Sequence, residues 1–306
     1  MKPVELLESW LVTRVTDPAR TWLREAVARL RAGATERDLY LLVSQVARRV
    51  GKAPLALADN ELRAATASRP GWDPRDWTAD NAVRVLLLLA STQDGAEISR
   101  RLDRLCAAAD IDELVAFYRG LPLYPDPPRH ALRAAEGVRS NMRVVFEAVA
   151  HRNPYPAEHF NEQAWNQMVL KALFVGSTLE PVAGLEARRN PALARMLCDY
   201  AHERWAAHRA VSPELWRCVG PYAAGAVLDD FRRLLAQGTQ EEQRAAVAAL
   251  RDSPDPEAAR LIAVVERTRT QPAKAMVDAI FEAVYEFCGD ADPNDDRTAV
   301  VLKVTA

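Results

Sequence analysis

Apolar residues recur at three- and four-residue spacing along most of the chain, as in "TWLREAVARL", where Leu23, Val27 and Leu30 fall on one face. That period belongs to amphipathic α-helices, and the punctuation agrees with it. Asp17–Pro18, Asn190–Pro191 and Ser212–Pro213 each set a capping residue before a proline at the first helical position. Gly33, Gly51, Gly120, Gly176, Gly238 and Gly289 each follow an apolar-periodic segment, where a left-handed C-terminal cap is expected. No pair of alternating segments reads as a hairpin. The chain is expected to be all-α.

Connections are short, and helices come as antiparallel pairs. "TQEEQRAAVAALRDSPDPEAARLIAVVERT" reads as two amphipathic helices joined by "DSPDPE", with Val247 and Leu250 leading into the turn and Leu261, Val264 and Val265 leaving it. It resembles a HEAT repeat unit, which must stack on neighbours to cover its apolar face. The other pairs are less regular, so an irregular HEAT/armadillo-like stack is expected. No Pro/Ser/Gly linker divides residues 1–289, which are expected to form one helical domain. Residues 290–306 follow as an acidic turn and a short extended tail. Asp290, Asp292 and Asn294 imitate an EF-hand loop, but Asp295 stands where glycine is needed and Val301 where the bidentate glutamate belongs.

One stretch departs from the alanine, leucine and arginine background: "HRNPYPAEHFNEQAWNQMVLKALF", residues 151–174. Prolines on both sides of Tyr155 predict an extended "NPYPAE". Asn161 then caps a helix from Glu162, with Phe160 and Trp165 spaced as a hydrophobic staple. Trp165, Met168, Val169, Ala172, Leu173 and Val175 form an apolar arc opposite Gln163, Asn166 and Gln167, and the apolar second half predicts a central helix. Lys171 is the exception in that half: an enclosed lysine either snorkels, pairs, or serves as a nucleophile or base. In "NPALARMLCDYAHERWAAH", Asp199 and His202 stand three apart, as two ligands from one helix do. His159 and Glu162 offer a second such pair, so His159, Glu162, Asp199 and His202 are the candidate metal ligands. A solvated face is the plainer reading of all four. Arg204 and His208 sit on that helix's apolar face near its end, where fraying is the plainer reading and a guanidinium otherwise stacks on a ring or holds an anion. The candidate ligand-binding set is Asn153, Tyr155, His159, Trp165, Asn166, Gln167, Lys171 and Arg204. The helix from 161 is expected to pack on the one from 190, with "NPYP" across one end.

Composition narrows the chemistry. In 306 residues, 40 basic side chains balance 42 acidic ones for a net charge of −2, with no basic stripe for nucleic acid. Cys106, Cys198, Cys218 and Cys288 are far apart, without metal or redox spacing, and read as reduced thiols of a cytoplasmic protein. The start has acidic residues inside its apolar stretch, unlike a signal peptide, and "VLLLLA" is too short to span a bilayer, so the chain is not membrane-inserted. There is no G-x-S-x-G, G-x-G-x-x-G, Walker or H-E-x-x-H motif, so no catalytic residue and no cofactor is assigned.

Three stretches, "RRVGK" (48–52), "PGWDPRDWTADNAVRVLLLL" (70–89) and "NPYPAEHFNEQAWNQMVLKALF…HERWAAHRAVSPELWRCVGPY" (153–222), resemble the EboA family. The resemblance implies a place in bacterial ebo gene clusters. These also encode a prenyltransferase-like membrane protein, a TatD-like hydrolase, a sugar-isomerase-like protein and a dehydroquinate-synthase-like protein. It further implies a role in secondary metabolism and in moving pigment precursors toward the periplasm. On that basis the expectation is a non-enzymatic cytoplasmic protein that binds a metabolite or scaffolds the cluster's other proteins. The alternative is an enzyme acting, with or without a metal, on a cyclitol-like or prenylated intermediate.

Overall fold

A computed structural model describes residues 1–268, and among these residues the helical period is realised throughout: sixteen α-helices and no strand. The tail over 290–306, Gly289 and Cys288 lie outside the described residues. The chain divides into two compact units, Met1–Gly184 and a second starting at Leu185.

The first unit contains α1 (Pro3–Arg14), α2 (Asp17–Arg31), α3 (Glu36–Val50), α4 (Asp59–Ser68), α5 (Ala79–Ser91), α6 (Gly95–Ala108), α7 (Ile111–Arg119), α8 (Ala131–Arg139), α9 (Arg143–Ala150), α10 (Tyr155–His159) and α11 (Glu162–Phe174). The central helix is α5, which carries the "VLLLLA" run. Every one of its residues is buried, and α1, α2, α3, α6 and α7 pack on it. Each fully buried leucine there contributes about 1.5–3 kcal/mol of transfer free energy. Two charges are buried with them. Asp80 and Arg84, one helical turn apart, form an ion pair, Thr78 Oγ1 donates to Asp80 at 2.5 Å, and Arg84 Nε lies 4.0 Å from Glu113. Trp10, Trp72 and Trp77 are buried in mutual contact, with the Trp72 ring centroid 5.6 Å from that of Trp10 and 5.7 Å from that of Trp77.

The expected central place of α11 is corrected by this arrangement: Phe174 is 78% exposed, and α5 is the enclosed helix. A second correction concerns "NPYPAE", which turns into α10 instead of running extended. Asn153 supplies the reason. Its Oδ1 accepts from Tyr155 N at 3.0 Å, starting the turn, while the N–H groups that Pro154 and Pro156 lack fall where no intrahelical acceptor exists. Glycine roles also divide. Gly33, Gly51 and Gly176 are left-handed as expected, with φ of 91°, 78° and 69°. Gly120 and Gly238 are not, with φ of −73° and −72°. There glycine permits close approach: a Cβ would come within 2.3 Å of Tyr124 Oη or 2.5 Å of the Leu234 carbonyl oxygen.

In the second unit, α12 (Pro191–Ala206) starts where Asn190 Oδ1 accepts from Leu193 N at 2.8 Å, as its capping pair predicts. Ser212–Pro213 opens a 3₁₀ turn that continues into α13 (Trp216–Val219), and α14 (Val227–Gln237) follows. The pair expected from "TQEEQ…VVERT" forms α15 (Gln240–Leu250) and α16 (Pro256–Thr268), which pack together. Ser253 Oγ and Asp255 Oδ1 accept the first free amides of the "DSPDPE" turn. No helix among the described residues is long and apolar enough to cross a membrane.

Candidate functional site

A cavity of about 380 Å³ opens in the first unit, a size typical of small-molecule sites. One wall is the segment before and at the start of α5: Asp73, Asp76, Trp77, Thr78, Asp80 and Asn81. Lys52 stands after α3, Asp112, Val115 and Arg119 on α7, and Val144 and Glu147 on α9. His151, Arg152 and Asn153 complete it. All three stretches that carry the family resemblance therefore reach this cavity, the third through Asn153 at its first position.

Local sequence explains why these elements meet. The antiparallel bridge Pro54–Thr78, with Ala79 N donating to Ala53 O at 2.8 Å, fastens the segment after α3 to the start of α5. Gly71 is left-handed, and a Cβ on it would lie 2.9 Å from Pro154 Cβ, so "PGWD" can approach "NPYP" only with glycine there. Asn153 is the lock. Buried, it donates to Tyr118 O at 3.0 Å and Ala148 O at 3.2 Å while accepting from Tyr155 N. It ties α7, α9 and α10 together, and its polar atoms are engaged in doing so.

Arg152 has φ of 49°, a left-handed conformation that costs a non-glycine residue roughly 1–3 kcal/mol and persists only where the surroundings impose it. Here its N–H donates to Pro181 O at 2.8 Å and its carbonyl faces Asp73 N at 3.5 Å. The result is a guanidinium whose Nε sits 3.2 Å from Asp76 Oδ2 and 3.7 Å from Asp73 Oδ2.

The acidic groups of the lining each have a cation. Asp73 holds Arg75 at 2.7 Å, Asp76 faces Arg152, Asp80 pairs with Arg84, Asp112 with Lys52, and Glu147 with Arg143 at 2.6 Å. Burial pushes the Glu147 carboxyl up, but hydrogen bonds from Arg143 and Ser177 outweigh it and hold the group below its ordinary value. Arg119 differs. Its NH1 donates to Asp76 O and to Asn81 Oδ1, both at 2.7 Å, and it has no carboxylate within ion-pair distance among the described residues. Burial pulls its guanidinium below the usual range, against the opposing pull of Asp76 and Asp80.

His151, Ser177 and Glu147 form a cluster that is wired differently from a hydrolytic triad. Ser177 Oγ donates to Glu147 Oε1 at 2.7 Å, and His151 Nε2 lies 3.0 Å from the Thr178 carbonyl and 3.2 Å from Ser177 Oγ. A carbonyl only accepts, so Nε2 carries the hydrogen and cannot take the serine proton as a general base must. Burial holds the His151 ring below the ordinary imidazole range, which keeps it neutral. Burial also pushes the Cys106, Cys198 and Cys218 thiols up to about 12, away from nucleophilic thiolate.

Of the candidate ligand-binding residues, Asn153 alone lines the cavity. Tyr155 is buried with its hydroxyl donating to Pro127 O at 2.6 Å, and His159 packs on its ring at 4.7 Å. Trp165 and Asn166 are buried on α11, Asn166 although it lies opposite the apolar arc, whereas Gln167 is exposed. Lys171 Nζ donates to Ser140 O at 2.8 Å above the Phe146 ring, the packed alternative among those its position allowed. Arg204 lies in the second unit, where Nε and NH2 both donate to Ala210 O, at 2.9 and 2.8 Å, closing the end of α12. The candidate metal ligands divide between the units. Glu162 and Asp199 are exposed, His159 Nε2 is 3.5 Å from Glu158, and His202 Nε2 pairs with Asp230 Oδ1 at 2.6 Å. Among the described residues no group of three or more His, Cys, Asp and Glu side chains is placed to hold a metal ion.

The cavity residues Asp73, Asp76, Asp80, Asn81, Arg119, Glu147, His151 and Arg152 escaped the sequence reading. For four of them a signal existed: "WDPRDWTADN" packs three acids and two tryptophans into the ten positions before the most apolar run of the chain. No curated protein and no solved structure matches the chain. A family model described as metabolite traffic protein EboA matches residues 3–220, which takes in every residue of the cavity.

Proposed function

Since the chain belongs to the EboA family of metabolite traffic proteins, we propose that it binds a small polar metabolite in the cavity of its first unit, without transforming it, and so supports secondary-metabolite synthesis or precursor export. The observation that carries this reading is the cavity itself. It has a suitable volume, polar walls, and a lining that the stretches marking the family supply in part. Its charged groups are held by partners in the protein, which suits recognition of a ligand more than proton transfer to one. Among the lining side chains only Trp77, Val115 and Val144 are apolar and the rest are polar or charged, so a hydroxylated metabolite fits it better than a prenyl chain. The protein would act in the cytoplasm as carrier or scaffold beside the other proteins of its cluster, the prenyltransferase-like membrane protein among them.

The test is to purify the chain from a host carrying the whole gene cluster, denature it, and identify released small molecules by mass spectrometry. A compound that accumulates or disappears in a deletion strain should be released in stoichiometric amount, and unchanged after prolonged incubation with the protein. Turnover of that compound by the purified chain, or its absence from the wild-type protein, overturns the reading.

A further inference from the structure

We propose that the ligand of this cavity is a hydroxylated oxyanion, a carboxylate or phosphate monoester of a polyol, and that Arg119 is the residue that recognises its charge. The proposal rests on the reading of the cavity as a metabolite site and names the class of metabolite.

Three features of the lining converge on it. First, the charges balance except at Arg119: Asp73, Asp76, Asp80, Asp112 and Glu147 are answered by Arg75, Arg152, Arg84, Lys52 and Arg143. Arg119 lines the cavity with no carboxylate within ion-pair distance among the described residues, so an incoming anion breaks no ion pair. Second, its orientation is fixed in advance. NH1 is held by the Asp76 carbonyl and Asn81 Oδ1 on one wall, while Nε and NH2 make no hydrogen bond within the described protein. Those two N–H groups are the edge that meets carboxylate or phosphate oxygens through two parallel hydrogen bonds. Third, the surrounding groups are acceptors with lone pairs to spare. Glu147 takes Arg143 and Ser177 on Oε1, leaving Oε2, and Asp112 takes Lys52 on Oδ2, leaving Oδ1. An ionised carboxylate only accepts, so these atoms select hydroxyl donors on the ligand. Because each already has its cation, they carry no surplus charge for an amine.

The experiment measures binding of glucose 6-phosphate, glucuronate and glucose to the full chain by isothermal titration calorimetry, with wild type, Arg119→Gln and Arg119→Lys. At least one anion should bind about ten-fold or more tighter than glucose, and Arg119→Gln should abolish that preference. Arg119→Lys should restore it only in part, because a lysine keeps the charge but lacks the fork. Preference for glucuronate assigns the carboxylate form, and preference for glucose 6-phosphate the phosphate form. Should Arg119→Gln fail to fold, Arg119→Lys carries the test of the residue, and an anion preference unchanged in it overturns the proposal. Equal affinity for the anions and glucose, or an anion preference unchanged in Arg119→Gln, overturns the proposal. Release of an uncharged compound from the host-purified protein overturns it too, while leaving the metabolite-binding reading intact.

Discussion

Replacing Asn153 by alanine separates a ligand-binding asparagine from a structural one. The residue lines the cavity, yet its side chain makes three hydrogen bonds to backbone groups of α7, α9 and α10. Each such bond adds about 0.5–1.5 kcal/mol net when its partners can rehydrate, and about 1–3 kcal/mol is lost when a buried partner is stranded. The Tyr118 and Ala148 carbonyls belong to helix ends and keep a second lone pair, so they sit nearer the lower figure. Tyr155 N has a single hydrogen and is buried, so it sits nearer the upper. The sum is about 3–5 kcal/mol. For a unit of this size that lowers the melting temperature on the order of 10 °C, read by far-UV circular dichroism. Asn153→Asp should be no better, since it preserves the acceptor for Tyr155 N but points an oxygen at two carbonyl oxygens. Were Asn153→Ala to melt within about 2 °C of wild type while losing its metabolite, the lock would be no lock and the side chain would belong to the ligand.

Arg84→Met should destabilise the first unit by about 3–5 kcal/mol in urea unfolding, because Asp80 stays buried without its cation, and adding Asp80→Leu should recover most of the loss; a double variant no more stable than the single would refute the pairing. Stability should fall as pH drops below the ordinary imidazole value of about 6.5, since burial lowers the folded-state values of His130 and His151 and the unfolded chain then binds the additional protons. His130→Gln should flatten that dependence, and an unchanged slope would exclude it as the source; its Nε2 already meets Pro125 O, and its buried Nδ1 has no acceptor for a second proton. Cys106, Cys198 and Cys218 should react with a maleimide only after unfolding, and rapid labelling of any of them in the native protein, located by peptide mapping, would contradict their burial.

Much of the architecture is legible because it is local. The period that puts Leu23, Val27 and Leu30 on one face, and the Asn161 and Asn190 caps, depend on neighbours within one helical turn, and the structure has them where the sequence places them. Legibility fails where a residue's partner is remote. Asn153 looked like a site residue because it is polar among aromatics, yet its donors are spent on carbonyls at positions 118 and 148. Lys171 and Arg204 stand out in the sequence as cations among apolar positions, and both donate to backbone carbonyls, a partner that no side-chain pattern reveals. An enclosed cation without a carboxylate partner points to an anionic ligand. The one that meets the condition in the cavity, Arg119, ends α7 in "AFYRG", an unremarked helix terminus like many others in the chain. The acceptors that orient it lie 43 and 38 residues earlier, at Asp76 and Asn81, and reach it only because α7 packs along α5. A helical period says which face of α7 is buried. It cannot say that the last turn of that face meets the first turn of α5, and the charge balance of the site is decided there.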